Sequence, residues 1–510
     1  NGTTGVSAAA EQPLLAVVTQ QARKSNITLT RYEQDGSGLR IWLENVSFDD
    51  TITWLEALNS RFGIVVNQIN IDKDTQPGSG GVRASRMAAA RGKKVAVIES
   101  RYLGGTCVNV GCVPKKLFVY ASEYASHLKE GAGFGVHATL DQFNWPELRD
   151  NKTNEIKRLN GIYDNMLKNA GVEIINGSGS IIDPHTVAVS EQKLTAERIL
   201  IATGGWPFVP KVPGVEFAIT SNDVFYLDEF PQRVIIVGGG YIAVEFAGIF
   251  NGLGVETTLA YRGEQILGGF DNKVREFAAN EIAKKGVRIS TGCDIQKIEK
   301  QTDGSLVCWF NNGEAITCDA VMYATGRRPM TDGLGLEAIG VAMREDGTII
   351  ADDQFRTSIE SIYALGDVIG TPALTPVALA QGMTFVAQQF DGDATPTDYN
   401  TIATAVFCQP NIATVGLTEE EALCQFSGDV SVFESEFRPM KHTMSGMSER
   451  AYMKLLVQAS TDKILGAHMV GVDAGEIMQG LAVAMKAGAT KAILDSTIGI
   501  HPTAAEEFVT

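Results

Sequence analysis

The sequence predicts an α/β chain carrying two Rossmann-like dinucleotide-binding folds, and three observations predict it. The 510 residues are 44% apolar and include 53 glycines, which suits several packed cores joined by tight turns. Four β-branched residues, Val234-Ile235-Ile236-Val237, run into Gly238-Gly239-Gly240-Tyr241-Ile242-Ala243 and then a helical stretch carrying Glu245. A lone G-x-G-x-x-A is weak; behind a buried strand and ahead of a helix it is a dinucleotide fingerprint, with the helix N-terminus facing a pyrophosphate. Half of a second fingerprint precedes it: Gly78-Ser79-Gly80-Gly81, a helix over residues 82–91, a strand over 95–98, and Glu99 placed to bind a ribose.

The formal charge of -17 argues against nucleic acid or an anionic membrane as the main partner. No apolar run reaches the roughly 18 residues that span a bilayer, and residues 1–12 lack the pattern of a signal peptide, so a cytoplasmic location is expected. Of seven cysteines, Cys293, Cys308, Cys318, Cys408 and Cys424 show no repeated spacing and are read as free thiols of a reducing compartment. No metal site is expected.

Residues 1–12 are small and polar. A helix over 13–25 follows, then an alternating strand from Ile27, a turn at Asp35-Gly36-Ser37-Gly38, a strand over 39–44, a helix from Asp49-Asp50 to near Gly63, and a third strand over 64–71. The order α-β-β-α-β is one strand short of a ferredoxin-like sandwich. Trp-Leu-Glu-Ala-Leu-Asn-Ser-Arg-Phe-Gly, then a strand and Asp-Lys-Asp-Thr-Gln-Pro-Gly, resembles the periplasmic domain of type II secretion system protein M over residues 10–78. That resemblance implies an α+β appendage and a secretion-system partner for it.

Cys107 and Cys112 form a C-x4-C pair, with four residues between them, in Gly104-Gly105-Thr106-Cys107-Val108-Asn109-Val110-Gly111-Cys112-Val113-Pro114-Lys115-Lys116. The spacing does not fit the C-x2-C of a zinc knuckle or thioredoxin motif. Positions i and i+5 are not neighbours on a helix, so a bridge needs distorted backbone, which the flanking glycines can supply. Two buried structural thiols are the bland alternative. The whole string resembles the active-site segment of the FAD-dependent disulfide reductases, and Val-Pro-Lys-Lys points to their glutathione or trypanothione branch.

The resemblance runs through Thr510, and with the stub from Gly78 it covers roughly 85% of the chain. It implies FAD bound by Gly78, Gly81, Glu99, Thr106, Thr203, Gly204, Asp367 and Thr375. Helix is expected over 142–170 and strands near 172–175 and 200–203. The reductases carry an apolar strand and two more glycines before Gly78, where this chain has Asp72-Lys73-Asp74-Thr75-Gln76-Pro77. Both resemblances lose a strand at one joint, as in a fusion. Either residues 64–71 slide in as a substitute, or the FAD site is damaged, since a parallel sheet leaves its backbone groups costly to orphan.

In the second fold Gly238, Gly240, Tyr241, Ala243, Arg262 and Arg327 are implied for NADPH. A basic residue about twenty positions past the fingerprint accepts a 2'-phosphate where an acidic one would bind a ribose, so Arg262 favours NADPH; the relatives' second Arg is here Gly268, which leaves NADH use open. Ile362-Tyr363-Ala364-Leu365-Gly366-Asp367 resembles the second flavin segment, and a helix after Leu374 would point its positive N-terminus at the flavin ring. After about Asp398 the pattern resembles a dimerisation domain that ends in Gly499-Ile500-His501-Pro502-Thr503-Ala504-Ala505-Glu506-Glu507.

The resemblance further implies that His501 with Glu506 forms an acid-base pair supplied by a partner subunit, that Lys115 pairs with Glu245 beside the flavin, and that Cys112 lies nearer the flavin while Cys107 attacks substrate. Arg86, Tyr163 and Glu507 are implied for substrate, which with Arg83 suits an anionic disulfide, glutathione disulfide; Met383 and Met166 replace polar contacts. The expected domains are 1–77, the appendage; 78–205 with 330–398, FAD; 206–329, NADPH; and 399–510, an α+β dimerisation domain. The expected activity is that of a homodimeric glutathione-disulfide reductase. The rivals are a reductase of another small disulfide and a catalytically silent scaffold acting through the appendage.

Overall fold

In the computed structural model the described residues are 14–25, 27, 29–35, 38–43, 48–62, 64 and 79–509, and the chain divides into two compact units, 1–76 and 77–510. The first unit orders a helix Leu14–Lys24, an antiparallel hairpin Leu29–Asp35 with Gly38–Leu43, and a helix Phe48–Phe62. Its core is helical spacing meeting strand spacing. Val18 and Ala22, and Trp54 and Leu58, lie one turn apart on their helices, and the i, i+2 residues Leu39, Ile41 and Leu43 pack against them. Leu58→Ala would cost about 2–5 kcal/mol in a core this small. The third strand expected over 64–71, apart from Ile64, lies outside the described residues, as does Gly78.

The second unit holds the two nucleotide-binding halves. In the first, the helix Gly80–Ala89 starts at Ser79, whose hydroxyl accepts the Val82 N–H at 3.3 Å. Strand Ala96–Glu99 pairs in parallel with Glu173–Asn176, and Ile199–Ile201 with Ile362–Ala364; among the described residues no strand joins the two pairs. The second half is a complete five-stranded parallel sheet in the order Ile219–Thr220, Ala320–Tyr323, Arg233–Val237, Glu256–Tyr261, Arg288–Thr291. Its central position explains why Val234 to Val237 read as an unbroken apolar run, each at most 3% exposed.

The helix Tyr241–Gly252 is buried from Ala243 through Phe250, because the sheet covers one face and the helix Cys112–Gly131 the other. That crossing is close: a Cβ on Gly252 would stand 2.5 Å from Ser122 O. The helix expected over 142–170 forms as Trp145–Asn169, capped by Asn144. Beyond residue 398, strands Thr404–Val406, Ile412–Gly416, Ile464–Val470, Ala451–Gln458 and Val430–Phe437 form an antiparallel sheet in that order. Helix Ala474–Lys486 buries Met478 and Ala482 against it. Among the described residues no helix is long and apolar enough to cross a membrane.

Candidate active site

Gly111 folds the two cysteines together. It separates the short helix Gly105–Val110 from the helix Cys112–Gly131, and a Cβ there would lie 2.8 Å from Thr106 O and 3.2 Å from the Cys107 Cα. The break lets Cys112 turn back on Cys107, which an unbroken helix does not allow. Asn109, 2% exposed, holds the segment by donating to Leu103 O at 2.9 Å and Gly105 O at 3.0 Å, and accepts from Asn160 Nδ2 at 3.0 Å. The expected bridge is open in this structure: both thiols are free, Cys107 half-buried and Cys112 exposed.

The two thiols are not equivalent. The hydrogen bond from Cys107, with help from Thr375 and the charge of Lys115, outweighs burial and lowers Cys112 to about 6. The same bond, then burial, pushes Cys107 well above the usual thiol range, so it keeps its proton. Thr375, the first residue of helix Thr375–Val386, places its hydroxyl 3.7 Å from the Cys112 sulfur. No acidic residue occupies that helix's first turn, so its positive end adds to the pull on a thiolate.

One turn after Cys112, Lys115 Nζ meets Glu245 Oε1 at 2.5 Å, with side chains 11% and 3% exposed. The Glu245 carboxylate also accepts the Phe407 N–H at 2.9 Å, and the Phe407 ring lies 4.5 Å below the ammonium. Desolvation of the Tyr241 phenol pushes it up to about 12; Arg327 opposes the shift, and Glu245, Asp367 and Cys112 add to it. These groups therefore converge on one place.

The residues around that place fit a flavin dinucleotide. A Cβ on Gly80 would stand 2.5 Å from Ala378 O, and one on Gly382 would stand 2.8 Å from Gly80 O, so the helix start stays open only as glycine. Gly81 leaves 3.0 Å to the Ala202 Cβ. Burial raises the Asp367 carboxyl above its usual range while Arg327 opposes the shift. Glu99 ends its strand, accepting the Arg101 N–H at 2.9 Å. Arg327 Nη2 donates to Gly205 O and reaches Thr106 Oγ1 at 3.5 Å, while Thr203 Oγ1 donates to Met330 O at 2.7 Å; Gly204 turns the chain at φ +70°. Arg327, expected on the nicotinamide side alone, thus sits where the two halves cross.

In the second fingerprint a Cβ on Gly238 would be 2.3 Å from Ala324 O, and one on Gly239 2.6 Å from the Tyr261 ring. Gly240 caps the helix, and Ala243 is fully buried. Arg262 is exposed just past strand Glu256–Tyr261, and Gly268 stands in open space on the following loop.

Tyr163, expected to sit between the two halves of the substrate, is 1% exposed, packed with Val82, Val108 and Leu167, and its hydroxyl has no hydrogen-bond partner among the described residues. Burial, then Cys107, pushes its phenol up to about 12. Ile156, Tyr163 and Leu167 share the buried stripe of helix Trp145–Asn169, and that i, i+7, i+11 spacing was the sequence signal for a core position. Met166 packs against the same cluster. Arg86 is half-buried on helix Gly80–Ala89, and burial lowers its pKa. His501 Nδ1 lies 3.1 Å from both Glu506 carboxylate oxygens, with the imidazole side chain 82% exposed, while Glu507 accepts the Ser435 hydroxyl at 3.0 Å. Residues missed in the sequence are Asn109, Phe407, Gly80, Gly382 and Gln381. Fully buried Gln381 accepts the Gly366 N–H at 2.7 Å and so seats the Asp367 segment.

A cysteine pair between two dinucleotide folds, with a buried Lys–Glu pair alongside, defines a flavin-dependent disulfide oxidoreductase. The chain belongs to the pyridine nucleotide-disulphide oxidoreductase family: that family's description matches residues 77–382, and its dimerisation domain matches 402–510. The glutathione reductases within that family use FAD and NADPH. The description of type II secretion system protein M matches residues 14–89. Among curated relatives, glutathione reductase of Burkholderia cepacia is 49% identical over 433 residues, 85% of this chain and 96% of that one. The chloroplastic/mitochondrial glutathione reductase of Pisum sativum is 49% identical over 444 residues, 85% of this chain and 80% of that one. The glutathione reductase of Nostoc is 44% identical over 445 residues, 85% and 97% of the two chains.

Proposed function

We propose that the chain is an NADPH-dependent glutathione-disulfide reductase that works as a homodimer. The observation that carries this reading is the cysteine pair folded together at Gly111, with Cys112 beside the Thr375 hydroxyl and the buried Lys115–Glu245 pair one turn on. Bound FAD would take a hydride from NADPH and deliver an electron pair to the Cys107–Cys112 bond. The chain's own residues do the rest. Lys115, held in place by Glu245 and Phe407, supplies a fixed positive charge. Tyr241 covers the nicotinamide side.

Cys107 gives its proton to His501 of a second copy, attacks one sulfur of the substrate disulfide and forms a mixed disulfide, and the other sulfur leaves as a thiolate. His501 of a second copy, oriented by Glu506, gives that thiolate its proton. The Cys112 thiolate then attacks the Cys107 sulfur, restores the bridge and releases the second half as a thiolate, which takes its proton from water. Ile498 and Ile500, 94% and 77% exposed beside His501, suit a surface that a second copy covers. Arg86 and Arg83, on the helix under the site, favour an anionic substrate.

A second reading, a flavin-free protein acting through residues 10–78, is favoured by Asp72-Lys73-Asp74-Thr75-Gln76-Pro77, which stand where the reductases carry an apolar strand and glycines. The visible spectrum separates the readings. A flavin band near one FAD per chain, followed by NADPH oxidation on adding glutathione disulfide, is the expected outcome. A protein that stays colourless with added FAD would sink the enzyme reading.

A further inference from the structure

The loop between Arg262 and the helix Asn272–Lys284 is pinned at several points. Leu267 N–H bonds Gly239 O at 2.6 Å, inside the second fingerprint. From the helix, Arg275 sends Nε to Ile266 O and Nη2 to Gln265 O, each at 2.7 Å, and Nη1 to Asn272 Oδ1 at 2.9 Å. Gln265 Nε2 returns a bond to Asn272 O at 3.1 Å. Arg275 thus commits one edge of its guanidinium, Nε and Nη2, to two backbone carbonyls of the loop.

The helix that carries Arg275 is anchored in turn. Asp271, fully buried, caps it through Oδ1, which accepts the Lys273 and Val274 N–H groups at 3.1 and 3.3 Å. Its Oδ2 accepts the Glu419 N–H at 3.0 Å and the Lys454 ammonium at 2.7 Å. Lys454 is on the C-terminal antiparallel sheet, has no exposed side-chain surface, and also meets Glu419 Oε2 at 2.6 Å. Burial opposes charge on Asp271, but Lys454 and the Glu419 N–H outweigh it and hold the carboxyl below its usual range.

We infer that Arg275, seated by the Asp271–Lys454 pair, is a positioning residue for coenzyme selectivity: it fixes the loop so that Arg262 meets the 2'-phosphate. The inference rests on the proposed role of Arg262. One exposed cation on a loose loop gains little from an anion, because ordering the side chain and backbone offsets the attraction. With glycine at 268 this chain has a single cation at the two positions in question, so a loop ordered in advance carries the discrimination. The C-terminal sheet thereby acts on coenzyme choice through Lys454.

Steady-state kinetics of the holoenzyme with NADPH and with NADH test this. Arg275→Met keeps the stem and leaves the Asp271–Lys454 pair intact. It should raise KM for NADPH about five- to tenfold, the effect of losing charge-assisted hydrogen bonds, with KM for NADH, kcat and KM for the disulfide unchanged. Arg275→Lys, which reaches one carbonyl, should recover part of the loss, and Gln265→Ala should give the same shift at about twofold. Equal changes for both coenzymes, or no change, overturn the inference. Arg262→Ala, run in parallel, tells the failures apart. If it leaves the NADPH-to-NADH ratio intact, the role of Arg262 falls; if it collapses the ratio while Arg275→Met does not, the inference alone falls.

Discussion

Gly80 and Gly238 open the two nucleotide-binding halves, and each has no room for a side chain: a Cβ would meet Ala378 O at 2.5 Å in one and Ala324 O at 2.3 Å in the other. Their supports differ. Gly238 follows the central strand of a five-stranded parallel sheet, with neighbours on both edges. Gly80 starts a helix held chiefly by the far end of the family fold: Ala378 and Gly382 of helix Thr375–Val386, and the Leu365 side chain 2.7 Å from the same Cβ position. Among the described residues, the helix packing from residues 365–382 is what frames this turn. In the second half, the strand and the turn come as one piece.

The sharpest way to break this comparison is Gly80→Val beside Gly238→Val. The first drives helix Gly80–Ala89 off helix Thr375–Val386, an overpacking cost of about 1–3 kcal/mol or more, and should yield protein without a flavin band. The second should keep the flavin band and lose reduction by NADPH. If Gly238→Val also released flavin, the halves would not be independent supports. A next effect tests the link between them: Glu245→Ala leaves Lys115 buried and unpaired and strips the Phe407 N–H of its acceptor. The expected loss is about 3–5 kcal/mol, read by denaturant unfolding of the flavin-loaded protein.

How legible these features were in the sequence follows the same division. The second half was readable because strand, glycines and helix are contiguous, so residues 234–245 carried their own context. The Cys107–Cys112 segment was readable for the same reason, down to a glycine that breaks the helix. The support of Gly80 was not, since it depends on Ala378 and Gly382, some 300 positions away. Phe407 under Lys115 and Lys454 on Asp271 are likewise long-range contacts between ordinary residue types, with no local pattern. Tyr163 carries two signals at once: a motif places it at the substrate, while helical periodicity places it on a buried stripe, where its side chain is 1% exposed.

Cys107→Ala asks which neighbours tune the thiolate. Cys112 is lowered first by the Cys107 hydrogen bond, then by Thr375 and Lys115, while Glu245 of the second half opposes. In the reduced protein the thiolate is present above about pH 6 and is lost as pH falls through that value. Without the Cys107 donor the titration should move up toward the ordinary thiol value of about 8.5, read as ultraviolet thiolate absorbance against pH with Cys112→Ser subtracted. No movement would hand the tuning to Lys115 and the helix end at Thr375.

The smallest effect concerns the second half alone. Gly268 is exposed, its φ lies outside the left-handed region, and no atom comes within 4 Å of a Cβ built there. Gly268→Arg is therefore free of steric cost and restores a second guanidinium six positions after Arg262. An exposed cation attracts a phosphate only modestly, so the ratio of kcat/KM for NADPH over NADH should rise about three- to tenfold and the gain should shrink with added salt. The change must appear in KM for NADPH, because the new charge touches neither the cysteines nor the Lys115–Glu245 pair. An unchanged ratio would mean that this loop does not face the 2'-phosphate, and the intact half would then read its coenzyme through some other surface.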